Sequence, residues 1–241
     1  MSNPSPPCVR LRLLPDRVAM IIAGELTAES VQPVLLDMGQ AISYYRYSNV
    51  QFLVNSPGGE LAALLLIEQS MQWWRGMGAR IVTSSWGRAH SAAALLVSMG
   101  DPGWRLVRAG TSLLYHQSRF QFKEPVTIGP AGLEEMLHDQ ERFLRRYVEI
   151  LAQRIGGETA DRAPTRAPSL PPSSVRCAGP GDAGTAASAL VTPASTPTER
   201  FADLLRREPI LSAEEAHNLR LVDHVISGPH DELAHLFASL L

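Results

Sequence analysis

From Arg10 to Gly156 short apolar runs alternate with stretches of helical spacing, the rhythm of an α/β protein. Arg17–Ala23 reads as a strand, followed by Gly24 and a helix-start signal around Thr27–Ser30. The helix after it carries Val34, Leu35, Met38 and Ile42 on one face and confines Pro33 to its first turn. Val50–Asn55 is a second strand, which runs into the turn Ser56-Pro57-Gly58-Gly59 and a helix from Leu61 to about Trp74. Ile81–Ser85 predicts a third strand and Ala92–Met99 a short apolar helix. Arg105–Val107 and Ser112–His116 read as further strands.

The clearest long helix runs from Leu133 to Ile155, with Leu133, Met136, Leu137, Gln140, Leu144, Tyr147, Val148, Leu151 and Ile155 at steps of three and four, one largely apolar stripe. That stripe suits a helix packed on its own domain, or one that projects and zips against another subunit. Residues 157–199 differ in kind: they hold seven of the chain's 18 prolines, no aromatic residue, and much Ala, Ser, Thr and Gly. Such a stretch buries too little apolar surface to offset its ordering entropy, so it reads as a disordered insertion. Order returns at Phe201. Ser212-Ala213-Glu214-Glu215 has capping-box form and opens a short helix ending near Leu219, before a strand at Leu221–Ile226. The expected organisation is a flexible segment at 1–12, a folded domain at 13–156 and 200–228, the insertion at 157–199, and a tail at 229–241.

Composition narrows the field without choosing within it. Over 241 residues, 45% are hydrophobic and 19% charged, with a formal net charge of −2, which suits a globular domain. No basic stripe gathers on one face, so no nucleic-acid partner is expected. No apolar run reaches the roughly 18 residues of a membrane span, and Met1–Pro7 lacks signal-peptide layout, so the expected location is cytoplasmic, with no membrane partner. Cys8 and Cys177 lie in Pro-rich surroundings and make neither a disulfide framework nor a metal site. The seven histidines show no metal-ligand spacing, and no cofactor is called for.

Three features carry chemistry. Gly58 and Gly59 follow a buried strand and let the backbone approach a ligand, while the next helix aims its first N–H groups into the same space. Fixed donors of that kind are what an oxyanion site needs, although a plain strand-to-helix turn has the same residues. In Gly87-Arg88-Ala89-His90-Ser91-Ala92-Ala93-Ala94, a serine opening a helix is by itself more often an N-cap. The alanines behind it allow close packing, which would leave Ser91 at an exposed helix end beside the Ala92 N–H, much as in a nucleophile elbow. His116 closes an apolar strand, where strand ends of open α/β sheets line a site. His90 is a poor base for Ser91, because adjacent side chains seldom aim at one spot.

The segments NSPGGELAALLLIEQSMQ, GRAHSAAALLVSMG, LLYHQ and ILSAEEAHNLRLVD occur in that order. Together they resemble the proteolytic subunit of the Clp protease (ClpP) over Leu14 to Ile226, apart from the insertion. The resemblance implies the ClpP/crotonase-like fold: repeated β-α-β units with a projecting long helix. By position it implies Ser91 as nucleophile, His116 as general base, and the backbone N–H groups of Gly59 and Ala92 as oxyanion hole. Glu208 takes the place of the family's aspartate, with Asp203 as a nearby understudy. Pro209 is expected to hold Glu208 extended.

The implied activity is hydrolysis of peptide bonds in unfolded proteins or small peptides, by homo-oligomeric rings that work with a Clp-type ATPase. A long loop beside the long helix would bear on ring stacking, and few residues precede the first strand to form the family's axial segment. Other readings are an acyl-CoA hydratase or isomerase of the crotonase fold, a non-catalytic ring subunit, and a membrane-linked signal-peptide peptidase. Among these, Glu60 is the carboxylate adjoining the glycine turn.

Overall fold

A computed structural model of the chain describes residues 8–117, 127–156 and 196–228. The elements are β1 (Val9–Leu13), β2 (Val18–Ile22), α1 (Ala28–Tyr45), β3 (Asn49–Ser56), α2 (Leu61–Gly76), β4 (Arg80–His90) and α3 (Ala92–Ser98). After them come β5 (Arg105–Arg108), β6 (Ser112–Leu114), α4 (Pro130–Gly156), α5 (Pro197–Arg207), β7 (Ile210–Leu211), α6 (Ala213–Asn218) and β8 (His224–Ile226). The expected α/β class and the long helix are both present. Residues 157–195 of the expected insertion and the tail at 229–241 lie outside the described residues.

One sheet joins the strands in the order β1-β2-β3-β4-β5-β8. β1 is antiparallel to β2, and the rest of that path is parallel. The period-two alternation of a strand sends β2 residues to two different cores. Val18, Met20 and Ile22 meet the helices, whereas Ala19 and Ile21 join Leu53, Val82, Leu106 and Ile226 on the other face, under Leu14, Trp86 and Trp104.

β4 is long enough to serve two partners. Its Thr83–Ser85 pair with β5, and its Arg88–His90 pair with β6, which in turn pairs antiparallel with β7. The register with β3 slips between Val54 and Ser56, so the sheet divides where β4 leaves one neighbour for the other. The chain is brought to a switch point there, the place where open α/β sheets build sites.

Two expectations are corrected. Residues 9–12 are not a flexible segment, because Val9 and Leu11 turn inward while Arg10 and Arg12 face out, an amphipathic strand hidden by the prolines before it. Helical structure is present from Pro197, ahead of Phe201. Thr196 and Glu199 form a reciprocal capping box around Pro197, which opens α5 inside the Pro-rich stretch.

The last strand is fastened by a buried ion pair. Arg105 Nε donates to Asp223 Oδ2 at 2.8 Å, its second guanidinium nitrogen donates to Oδ1, and the Asp223 N–H donates to the Arg105 carbonyl at 2.8 Å. Burial alone would raise the Asp223 carboxyl, but the Arg105 hydrogen bonds and charge override it and hold the pKa below 3.8. A lowered carboxyl contributes stability above its unfolded value and loses it as pH falls through the folded value. Asp223→Asn should therefore cost about 3 kcal/mol in denaturant melts at pH 7, since it leaves a buried cation unpaired. The gap between variant and wild type should narrow below about pH 4; a constant gap down to pH 2 would contradict this account.

Candidate active site

The C-terminal ends of β3, β4 and β6 converge. β3 delivers Ser56, whose hydroxyl accepts from the Gly58 N–H at 3.0 Å and shapes the turn. The glycines are then required by space as well as by dihedral. A β-carbon at Gly58 (φ 99°) would lie 2.6 Å from the His90 carbonyl oxygen and 2.7 Å from the Ser91 β-carbon. One at Gly59 (φ 151°) would lie 2.0 Å from the Leu26 carbonyl oxygen. Leu26 grips this turn through bonds from its N–H to the Gly58 carbonyl, 2.8 Å, and from the Glu60 N–H to its own carbonyl, 2.7 Å.

β4 delivers Ser91. Four non-glycine residues among those described have positive φ: Arg46, Ser91, Glu208 and Arg220. Arg46 and Glu208 are left-handed C-caps and Arg220 follows a helix end, where chains commonly terminate that way. Ser91 alone opens a helix, and its φ 56°, ψ −127° lies outside the left-handed well. Its side chain makes no capping bond, so it is not the ordinary N-cap that its position suggests. Its N–H donates to the Leu114 carbonyl at 2.8 Å, which fixes the serine against β6. Backbone held in a sparse conformation by its surroundings is typical of functional positions.

The N–H groups of Gly59 and Ala92 donate no hydrogen bond among the described residues. Both belong to the cluster of turns around Ser91: Gly58 touches Ser91, and Ala92 follows it. Two unspent donors beside a half-buried hydroxyl are what an oxyanion would use.

β6 carries His116 just beyond its end. Nδ1 of His116 donates to the Gln117 carbonyl at 2.6 Å, since a carbonyl only accepts. That bond places the ring proton on Nδ1 and leaves Nε2 as the basic nitrogen. Ser91 and His116 are joined through Leu114; no hydrogen bond runs between their side chains.

Glu208 arrives from the other side of β6. Leu114 pairs with Ile210, and the Tyr115 N–H donates to the Pro209 carbonyl at 3.4 Å, which joins the residue before His116 to the residue after Glu208. The expected extended backbone at Glu208 is not found. At φ 51°, ψ 47° it closes α5, with its N–H on the Leu204 carbonyl at 3.2 Å, because ending the helix outweighs the preference before proline. Asp203 is engaged elsewhere, 2.7 Å from Arg207 Nε and 3.9 Å from Arg206 on the same helix. Glu60 is engaged too: its carboxylate accepts from the Ala28 N–H at 2.8 Å and caps α1.

With the fold and this geometry in hand, comparison with known proteins is decisive for the family. The family model described as Clp protease matches residues 9–158. The chain belongs to the Clp protease family. The matched span contains Gly59, Ser91, Ala92 and His116 and stops short of Glu208. Similar curated proteins include ATP-dependent Clp protease proteolytic subunit 1 of Rhodococcus jostii, 35% identical over 116 residues that cover 46% of this chain and 48% of the relative. Proteolytic subunit 2 of Corynebacterium jeikeium is 30% identical over 154 residues, 64% of this chain and 65% of the relative. Subunit 2 of Streptomyces coelicolor is 25% identical over 179 residues, 74% and 62% respectively. The chain thus spans about half the length of the first of these Clp relatives. Among the described residues no helix is long and apolar enough to cross a membrane.

Sequence reasoning overlooked one part of the site. His90 Nε2 lies 3.0 Å from Ser112 Oγ, the Ser–His contact among the described residues, and ties the end of β4 to the start of β6. Strand alternation could have found it, because Arg88, His90, Ser112 and Leu114 share the face opposite Ala89 and Leu113. Burial, then the charges of Arg88 and His116, lower the His90 pKa below 6.5. A lowered histidine binds its proton later in the folded state than in the unfolded chain, so stability falls as pH drops below about 6.5. His90→Asn keeps a hydrogen-bonding group and removes the titration. Its midpoint of thermal unfolding should decline less than that of wild type between pH 7 and pH 5; parallel curves would refute the coupling.

Proposed function

We propose that the chain is a serine endopeptidase of the Clp proteolytic-subunit type, with Ser91 as nucleophile and His116 as general base. The observation that carries this reading is the backbone of Ser91, forced out of every common well and pinned to Leu114, with the unspent N–H groups of Gly59 and Ala92 around it. His116 Nε2 takes the Ser91 hydroxyl proton as Oγ bonds to the peptide carbonyl carbon. The carbonyl π electrons move to oxygen, where the two N–H groups stabilise the charge. On collapse the C–N bond breaks, and the imidazolium returns its proton to the leaving amine. Water then repeats the sequence on the acyl-serine and frees Ser91.

Glu208 is proposed as the acid, since it directly precedes the Pro209 that Tyr115 bonds, and there it would stabilise the imidazolium. The Gln117 carbonyl supplies part of that service already by holding the Nδ1 proton. Losing Glu208 should therefore cost charge stabilisation without costing the tautomer.

An acyl-CoA hydratase or isomerase would need a free carboxylate near the glycine turn, and Glu60 is committed to α1. The relatives' names describe ATP-dependent proteolytic subunits. By that likeness we propose unfolded proteins or peptides as substrates, homo-oligomeric rings, a Clp-type ATPase as partner, and a cytoplasmic site of action.

Cleavage of a fluorogenic peptide tests the assignment. Ser91→Ala and His116→Ala should each remove turnover to background. Glu208→Gln should lower kcat by about 10- to 100-fold, less than the roughly 10⁴-fold loss seen when a triad acid also sets the tautomer. Full activity in Ser91→Ala would exclude the nucleophile, and wild-type turnover in Glu208→Gln would exclude that carboxylate. A wild-type chain inert toward peptides would favour a non-catalytic ring subunit.

A further inference from the structure

Tyr115 is the residue on which the three elements of the proposed site meet. It directly precedes His116 and is fully buried. Its hydroxyl lies 2.7 Å from Ser98 Oγ, and Ser98, also fully buried, is the last residue of α3, the helix that Ser91 opens. Its ring meets Phe201 of α5 edge-to-face, with centroids 6.1 Å apart, and α5 ends at Glu208. Its N–H donates to Pro209, the residue after Glu208.

These contacts close a ring of fixed lengths. α3 is seven residues long, about 10 Å. Its near end is held to β6 by the Ser91 N–H on Leu114, and its far end to the same segment by the Ser98–Tyr115 bond. Thr83 Oγ1, donating to the Val97 carbonyl at 2.6 Å, ties that far end to β4 as well. With both ends held, α3 cannot slide along its axis without breaking a buried hydrogen bond, and such a slide would carry Ser91 past His116. Burial raises the phenol's pKa, so the bond does not titrate under working conditions.

We infer that Tyr115 is a positioning residue, whose hydroxyl on Ser98 and ring on Phe201 set the spacing of Ser91, His116 and Glu208. The inference rests on the proposed Ser91–His116 site. It goes beyond it by making the nucleophile-to-base distance depend on a buried hydroxyl pair more than one side chain away from the reacting atoms. A displacement near 1 Å at such a site is enough to cost up to about a hundredfold in rate.

The full-length chain tests it through Tyr115→Phe, Ser98→Ala and the double variant, each assayed for kcat and KM on a fluorogenic peptide and for thermal midpoint. Tyr115→Phe keeps the ring on Phe201 and removes the hydroxyl alone. Each single variant should lose about tenfold in kcat with KM within about twofold of wild type. The double variant should lose no more than the worse single, because both remove one bond. A kcat for Tyr115→Phe within about twofold of wild type overturns the inference while leaving the Ser91–His116 reading intact. So does a loss of kcat that tracks the loss of folded protein, which marks a structural role only. An inert wild type overturns the reading on which the inference rests.

Discussion

Gly58 and Ser91 occupy space that a single added methyl group would close, and the rest of the site depends on that contact. The turn after β3 is pressed against the turn after β4, with Leu26 gripping the first from behind and Leu114 the second from the side. Both turns lead into helices, so their leading N–H groups are gathered in one place. The packing does two jobs at once. It forces Ser91 into a sparsely populated backbone conformation, and it leaves the Gly59 and Ala92 N–H groups without an acceptor among the described residues. Neither property belongs to one residue; both follow from two strands ending at the same level of a parallel sheet.

The sheet is arranged to make that convergence rigid. β4 changes partners from β5 to β6 a few residues before Ser91, which opens the sheet there while hydrogen bonds continue on both sides. β6 leads to His116, the proposed base, and pairs with β7, which follows Glu208, the proposed acid. Beneath the opening lie side chains that are wholly buried, Ala89, Ala93, Ala94, Leu113 and Tyr115 among them. Small residues under α3 let it sit close to the sheet, so that its first turn, and not a side chain, faces the site. Two hydroxyls in this core, those of Ser98 and Tyr115, pair with each other, in keeping with the cost of burying an unpaired hydroxyl.

How much of this could be read from the sequence differs from element to element. Strands β2, β3 and β4 were visible as short apolar runs, and helices α1, α2 and α4 by apolar residues at steps of three and four. β1 escaped because its alternation, Val9-Arg10-Leu11-Arg12-Leu13, sits next to prolines that signal disorder. The start of α5 escaped for the same reason: Thr196 and Glu199 form a capping box inside a Pro-rich stretch. Ser91 and the two glycines were legible as a pattern. What marks them as a candidate site, the φ and ψ of Ser91 and the lack of room for a β-carbon at Gly58, depends on contacts between two turns well separated in sequence. Glu208 shows the limit most plainly. A local rule predicted an extended backbone before Pro209, whereas the end of α5 and the pairing of β7 require a left-handed one. The His90–Ser112 pair and the place of Tyr115 needed strand register, which no single strand reveals.

The central claim is that this packing turns Ser91 into a nucleophile. Treatment of the folded chain with diisopropyl fluorophosphate, followed by mass-spectrometric mapping of the adduct, tests it most directly. A single phosphoryl adduct on the peptide that carries Ser91, abolished by prior unfolding, is the predicted result. An unmodified chain would contradict the account, and so would an adduct on Ser112, the serine whose hydroxyl already holds a histidine.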